Sequence, residues 1–123
     1  FRLNWVRTYC LDTVENYERR AFQWHHDGWS EHFAKVMILL SDVEDDGQRM
    51  VYCPGLHNIK YFDNDKITSR HTRLSKGFVN QFEKINCSGK AGDVYIFFPN
   101  TPHTGTSNTT RRRDVYKLDY ITI

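Results

Sequence analysis

Two imidazoles and one carboxylate are enough to hold a divalent transition metal and still leave coordination positions open. The sequence offers one such set. His25 and Asp27 stand two apart in Trp24-His25-His26-Asp27-Gly28, and His103 follows Pro102 far downstream. In extended backbone, residues i and i+2 point to one face, so His25 and Asp27 can grip one ion while His26 points away. His103 must return across the fold to complete the set. This is the ligand pattern of the facial triad of non-haem Fe(II) oxygenases, with room left for a cosubstrate and O2. The plain alternative is a Trp-His-His turn with solvated side chains.

The other candidates carry less chemistry. His26 is expected on the opposite face or at a pocket rim, and His57 as a loop-fixing hydrogen bonder. His32 and His71 read as surface residues, and Asn108 as a turn residue bonding its own backbone. Trp29 and Phe33 suit a pocket wall or the core equally. The run Arg111-Arg112-Arg113 allows a solvated strand entry, a phosphate-binding patch, or one or two inward arginines with the middle one in water.

Short strands must position these groups. Residues 1–11 alternate, with Phe1, Leu3, Trp5, Tyr9 and Leu11 on one side and Arg7 breaking the pattern. Residues 12–16 read as a turn, and 20–26 as a second strand running into the metal motif. Residues 33–40 form an apolar run that suits a strand buried on both faces. Asp45-Asp46-Gly47-Gln48 is a turn signal, 49–53 a short returning strand, and Pro54-Gly55 its stop. Residues 57–73 are polar and without period, the usual place for a substrate lid. Leu74, Phe78, Val79, Phe82 and Ile85 have helical spacing, which predicts one amphipathic helix over 74–85. A turn at 89–92, a strand at 93–98, a loop at 99–110 carrying His103, and a final strand at 113–123 complete the chain. Many short strands with turns between them point to a barrel or sandwich.

A length of 123 residues predicts a single domain, 1–123, burying roughly two-thirds of its unfolded surface. Three Trp, seven Tyr and eight Phe suit a β-rich core or a lined pocket. A net charge of +2 names no polyanionic partner, and no run of 18 apolar residues spans a membrane. Cys10, Cys53 and Cys87 are odd in number and far apart, so free thiols in a reducing cytoplasm are expected.

Four blocks, in order, resemble the phytanoyl-CoA dioxygenase family of Fe(II)/2-oxoglutarate oxygenases. They are Trp24-His25-His26-Asp27-Gly28 with the apolar strand to Asp42-Val43, and Cys53-Pro54-Gly55-Leu56-His57, similar to the family's Pro-Gly-Ser-His. Ala91-Gly92-Asp93-Val94-Tyr95-Ile96-Phe97-Phe98 and Pro102-His103-Thr104-Gly105-Thr106-Ser107-Asn108, leading into the three arginines, complete the set. The resemblance runs from Trp24 to Tyr120. It implies a mainly β fold, a double-stranded β-helix (a cupin-like jelly-roll barrel) with one or two short helices. It implies His25, Asp27 and His103 as Fe(II) ligands and an Arg after the distal His as anchor for the far carboxylate of 2-oxoglutarate. Arg113 is chosen for its place in the last strand, with Arg111 as the fallback and Arg112 facing outward. The implied reaction consumes O2 and 2-oxoglutarate, releases succinate and CO2, and hydroxylates a small organic molecule. Family relatives that halogenate carry a small residue where Asp27 stands, so its carboxylate favours hydroxylation. Leu56 replaces the family's Ser. The longer helical N-terminal part common in the family is expected to be missing or reduced, the first residue being Phe. Two rivals come from other classes. One is a cupin-like barrel that binds a metal or small ligand without turnover. The other is a nucleic-acid or phosphate module on Arg111–Arg113, against which the low net charge and lack of aromatic–basic interleaving count.

Overall fold

The computed structural model describes residues 1–12, 20–27, 33–57, 73–107 and 111–122. Among them are seven strands: β1 (Arg2–Leu11), β2 (Phe33–Leu39), β3 (Met50–Tyr52), β4 (Ile85–Cys87), β5 (Val94–Phe97), β6 (His103–Gly105) and β7 (Arg113–Ile121). A four-stranded sheet has the order β1-β7-β2-β5, and a three-stranded sheet the order β4-β3-β6. All the pairings are antiparallel. Two antiparallel sheets with crossed strand order are the jelly-roll arrangement that the sequence led one to expect.

The long strands form where alternation is sustained. β7 pairs with β1 from Leu11↔Arg113 to Arg2↔Ile121, and with β2 from Leu39↔Val115 to Phe33↔Ile121. A bulge between Leu3 and Trp5 shifts the register near the start of β1. β2 buries Lys35, Met37 and Leu39 on its inner face, while Ala34, Val36 and Ile38 stay half-covered. The apolar run is therefore a strand with one closed face, not two. Met37, Leu39, Val43, Met50, Cys87, Phe97 and Val115 make the core between the sheets.

Three predicted elements differ. Residues 20–26 are not a strand. Arg20–Phe22 is a 3₁₀ turn, and only His25 makes strand-like contacts, bridging His103 on one side and Arg73 on the other. The turn packs on β6 so closely that a Cβ at Gly105 would stand 3.3 Å from the Ala21 carbonyl oxygen. The predicted helix over 74–85 shrinks to one turn, α1 (Lys76–Val79). Ser75 caps it by accepting from Phe78 N–H at 3.1 Å, and Asn80 closes it. The periodic residues divide: Phe78 and Phe82 meet edge to face, while β-branched Ile85 enters β4 opposite Tyr52. β4 was not foreseen, because helical spacing over so few residues also fits a turn followed by a strand. The loop predicted for 99–110 contains β6, so His103 sits on a strand, paired with Tyr52.

The turns at 45–48 and 91–92 stand where expected. Gly92 adopts φ +100°, a left-handed conformation open to glycine, and its N–H donates to the Leu39 carbonyl at 2.7 Å. The expected turn at 12–16 and lid at 57–73 fall almost wholly outside the described residues, as do His32, His71, Trp29 and Asn108.

Candidate metal centre

The backbone brings the three candidate ligands together. His25 N–H donates to the His103 carbonyl at 3.0 Å, and His103 N–H returns the bond at 2.8 Å. Asp27 N–H donates to the Pro99 carbonyl at 2.9 Å. The side chains then converge, with one donor atom each from His25, Asp27 and His103 lying within 4.8 Å of one another. Asp27 Oδ1 is 3.6 Å from the Nε2 of both His25 and His103.

Each ring is held from behind. His25 Nδ1 lies 2.6 Å from the Gln23 carbonyl oxygen, and His103 Nδ1 lies 2.7 Å from that of Thr101. A carbonyl only accepts, so both Nδ1 atoms carry the proton and both Nε2 lone pairs face the cluster. Burial pushes His103 down to about 3 and lowers His25 as well, so both rings are neutral at pH 7. Burial opposes the charge of Asp27, but His103, Lys35 and His25 outweigh it and hold the carboxyl at about 2. Neutral imidazoles with an ionised carboxylate are the protonation state a cation requires. The remaining carboxylate oxygen, Oδ2, accepts from Lys35 Nζ.

Beside the cluster lies a cavity of about 480 Å³ between the sheets. Arg113 projects into it from β7 and is only 7% exposed. Among the described residues its Nε and Nη1 have no hydrogen-bond partner. Burial lowers its guanidinium to about 10, still charged at neutral pH. Arg111 lies outside the strand, exposed and ion-paired with Glu44. Arg112 is exposed with Nε 2.7 Å from Asp114 Oδ1. The alternation used to choose among the three begins only at Arg113, so it never reaches Arg111.

The other candidates separate. His26 is fully buried but outside the three-residue cluster. His57 fixes its loop through its backbone, its carbonyl accepting from Asn100 Nδ2 at 2.9 Å, while its ring stacks on Phe98 at 4.9 Å. Phe33 lines the cavity. Sequence reasoning missed Lys35, Lys117 and Asp119, which line the same cavity from β2 and β7. The signal was present: Lys117 and Asp119 share the inward alternation of Arg113, and Lys35 interrupts an otherwise apolar run.

The fold is one found in solved non-haem enzymes. The α-ketoglutarate-dependent carbocyclase SnoK from nogalamycin biosynthesis matches with a TM-score of 0.73 and 20% identity, over 98% of this chain and 49% of that chain. The epimerase SnoN, solved with Fe3+, α-ketoglutarate and nogalamycin RO, matches with a TM-score of 0.72 and 20% identity, over 98% and 49%. AviO1 from Streptomyces viridochromogenes Tue57 matches with a TM-score of 0.71 and 15% identity, over 98% and 51%. The chain thus spans about half the length of these proteins. No family model matches it, and no curated protein does. At the level of fold, the resemblance to Fe(II)/2-oxoglutarate oxygenases is met.

Proposed function

We propose that this protein is an Fe(II)- and 2-oxoglutarate-dependent oxygenase acting on a small organic molecule. One observation carries the reading: His25, Asp27 and His103 converge in the same cavity as a buried arginine with two donors that have no partner among the described residues. The donor set fits iron. Two Nε2 lone pairs and one carboxylate oxygen, with Lys35 on the other oxygen, leave one side of the cluster open to the cavity. The orphaned guanidinium fits a dicarboxylic cosubstrate, because a buried charged fork without a partner is costly and matches a carboxylate two bonds at a time.

His25, Asp27 and His103 would hold the metal, and Arg113 the far carboxylate of 2-oxoglutarate. When bound, iron and cosubstrate supply O2 activation coupled to release of succinate and CO2. The chain's own part is positional. The carbonyls of Gln23 and Thr101 fix the imidazole tautomers, Lys35 orients Asp27, and Phe97, edge to face with the His103 ring at 5.4 Å, shields it from water. Hydroxylation is the favoured outcome because Asp27 occupies the position a halide would need. The substrate class differs from protein to protein on this fold, so a phytanoyl-CoA-like substrate is one member of that range. A cytoplasmic location suits three free cysteines, and no helix among the described residues is long and apolar enough to cross a membrane.

The test is an anaerobic titration of metal-free protein with Fe(II) and then 2-oxoglutarate. The expected result is a weak visible charge-transfer band that disappears on admitting O2, with succinate formed. Iron binding without the band would leave a metal-binding barrel without turnover as the better description.

A further inference from the structure

The cavity holds more positive charge than its metal and cosubstrate would use. Lys35 is opposite Asp119 on β2 and β7, with 4.0 Å between Nζ and Oδ1, and it also holds Asp27. Arg113 is assigned to the cosubstrate. Arg73 lies exposed at the rim, bridged to His25, and Arg7 and Lys117 remain. They face each other directly across β1 and β7, both lining the cavity. Like charges in directly opposed positions destabilise a strand pair. Here no carboxylate among the described residues forms an ion pair with either one. Burial, with Lys35 adding to it, pushes Lys117 down to about 8 against the attraction of Asp119 and Asp27, and Asp119 also favours the charge of Arg7.

Aromatic rings frame the pair. The Arg7 guanidinium carbon lies 4.5 Å from the Trp5 ring centroid, and Arg7 Nη1 donates to the Tyr9 hydroxyl at 3.2 Å. Lys117 Nζ lies 6.0 Å from the Tyr9 ring. Trp5, Arg7 and Tyr9 alternate on the face of β1 that borders the cavity, Trp5 and Arg7 exposed at its open mouth and Tyr9 half-buried, so the site is a cationic pair at an aromatic rim.

The geometry points to Arg7 and Lys117 as the receptor for an anionic group, such as a carboxylate, on an otherwise apolar or aromatic primary substrate. This rests on the oxygenase reading, which it extends from "small organic molecule" to an organic anion. The pair supplies charge and donors, Trp5 and Tyr9 supply apolar area, and the opposed cations are relieved when the anion enters.

Phenylacetate and its neutral counterpart 2-phenylethanol are suitable probes. Each is titrated calorimetrically into protein carrying Fe(II) and saturating 2-oxoglutarate under anaerobic conditions. Phenylacetate is expected to bind at least tenfold more tightly than 2-phenylethanol. Lys117→Met and Arg7→Gln are each expected to weaken phenylacetate roughly tenfold, leaving 2-phenylethanol and the 2-oxoglutarate dependence of the charge-transfer band unchanged. Lys117→Met should also raise Tm, because it removes an opposed charge; a folded, stabler variant that binds anions poorly is the distinguishing signature. Equal binding of the two probes, a preference that survives both substitutions, or a shift in the 2-oxoglutarate requirement instead would each overturn the assignment. If the wild-type chelate band never forms, the oxygenase reading fails alone. The same titrations on metal-free protein then read the cation pair by the same criteria.

Discussion

Arg113 illustrates what a single residue contributes. Its guanidinium is buried with two nitrogens that have no partner among the described residues, while Arg111 and Arg112 are exposed and engaged with Glu44 and Asp114. Arg113→Ala is therefore expected to raise the 2-oxoglutarate concentration needed for half-maximal chelate formation by roughly ten- to a hundredfold, the loss of a charge-assisted pair. Arg111→Ala should leave it unchanged, and a spectroscopic titration of both variants checks the register. His25→Ala and His103→Ala should each abolish stoichiometric iron binding, read by metal analysis after desalting. The thiols give a second set of expectations. Cys53 and Cys87 are buried and Cys10 is exposed, so native protein should react with one equivalent of iodoacetamide and denatured protein with three. Burial pushes Cys87 up to about 12 from an ordinary value of 9.0. The folded state then keeps a proton that the unfolded chain releases. Stability from this group is complete below pH 9 and falls as pH rises toward 12, at up to ~1.4 kcal/mol per pH unit. Urea unfolding across that range measures it, and Cys87→Val should flatten the slope. The three candidate ligands could be picked out as a set because their types are rare and their spacing is informative, and the structure brings them together. Lys35 and Lys117 left a signal that was passed over, because a charged residue on a strand is ordinarily solvated, and only the register shows Arg7 bordering a cavity.

At the scale of elements, legibility followed sustained pattern and flanking turn signals. β1 and β7 alternate and β2 is a sustained apolar run, and the sequence placed all three near their observed bounds. Short β3 and β5 were also placed, because the turn signals at 45–48, 54–55 and 89–92 bracket them; β4 and β6 were missed, since three residues are too few to separate period 2 from period 3.6. β4 and β6 hold their places by tertiary pairing with β3, not by local preference. The 3₁₀ turn of Arg20–Phe22 is likewise fixed by packing, and Gly105 is the point of closest approach. Gly105→Ala would press a methyl group against the Ala21 carbonyl and the Phe22 ring, 3.3 and 3.4 Å away. The expected cost is about 1–3 kcal/mol in urea unfolding, with weaker iron binding because the displaced turn leads directly to His25.

For the molecule as a whole, the two sheets divide the labour. The larger sheet supplies Arg113, Lys117 and Lys35, and the smaller one supplies His103 with His25 bridged to its edge. The outer side of edge strand β5 carries Val94 and Ile96, 52% and 72% exposed, with Phe98 just beyond at 41%. An apolar edge of this kind is an association hazard. Ile96→Lys is expected to reduce light scattering at high concentration without altering iron affinity, since that face points away from the cavity. The reciprocal main-chain bonds between His25 and His103 have a kinetic consequence. Two of the three ligands are clasped to each other before any ion arrives, so neither can swing away alone. A bound ion would tie the same two segments together through their side chains, so opening of the clasp would be slower with the ion in place. The amide protons of His25 and His103 should exchange with solvent at a common rate in the metal-free protein and slow together, by the same factor, once the ion is bound.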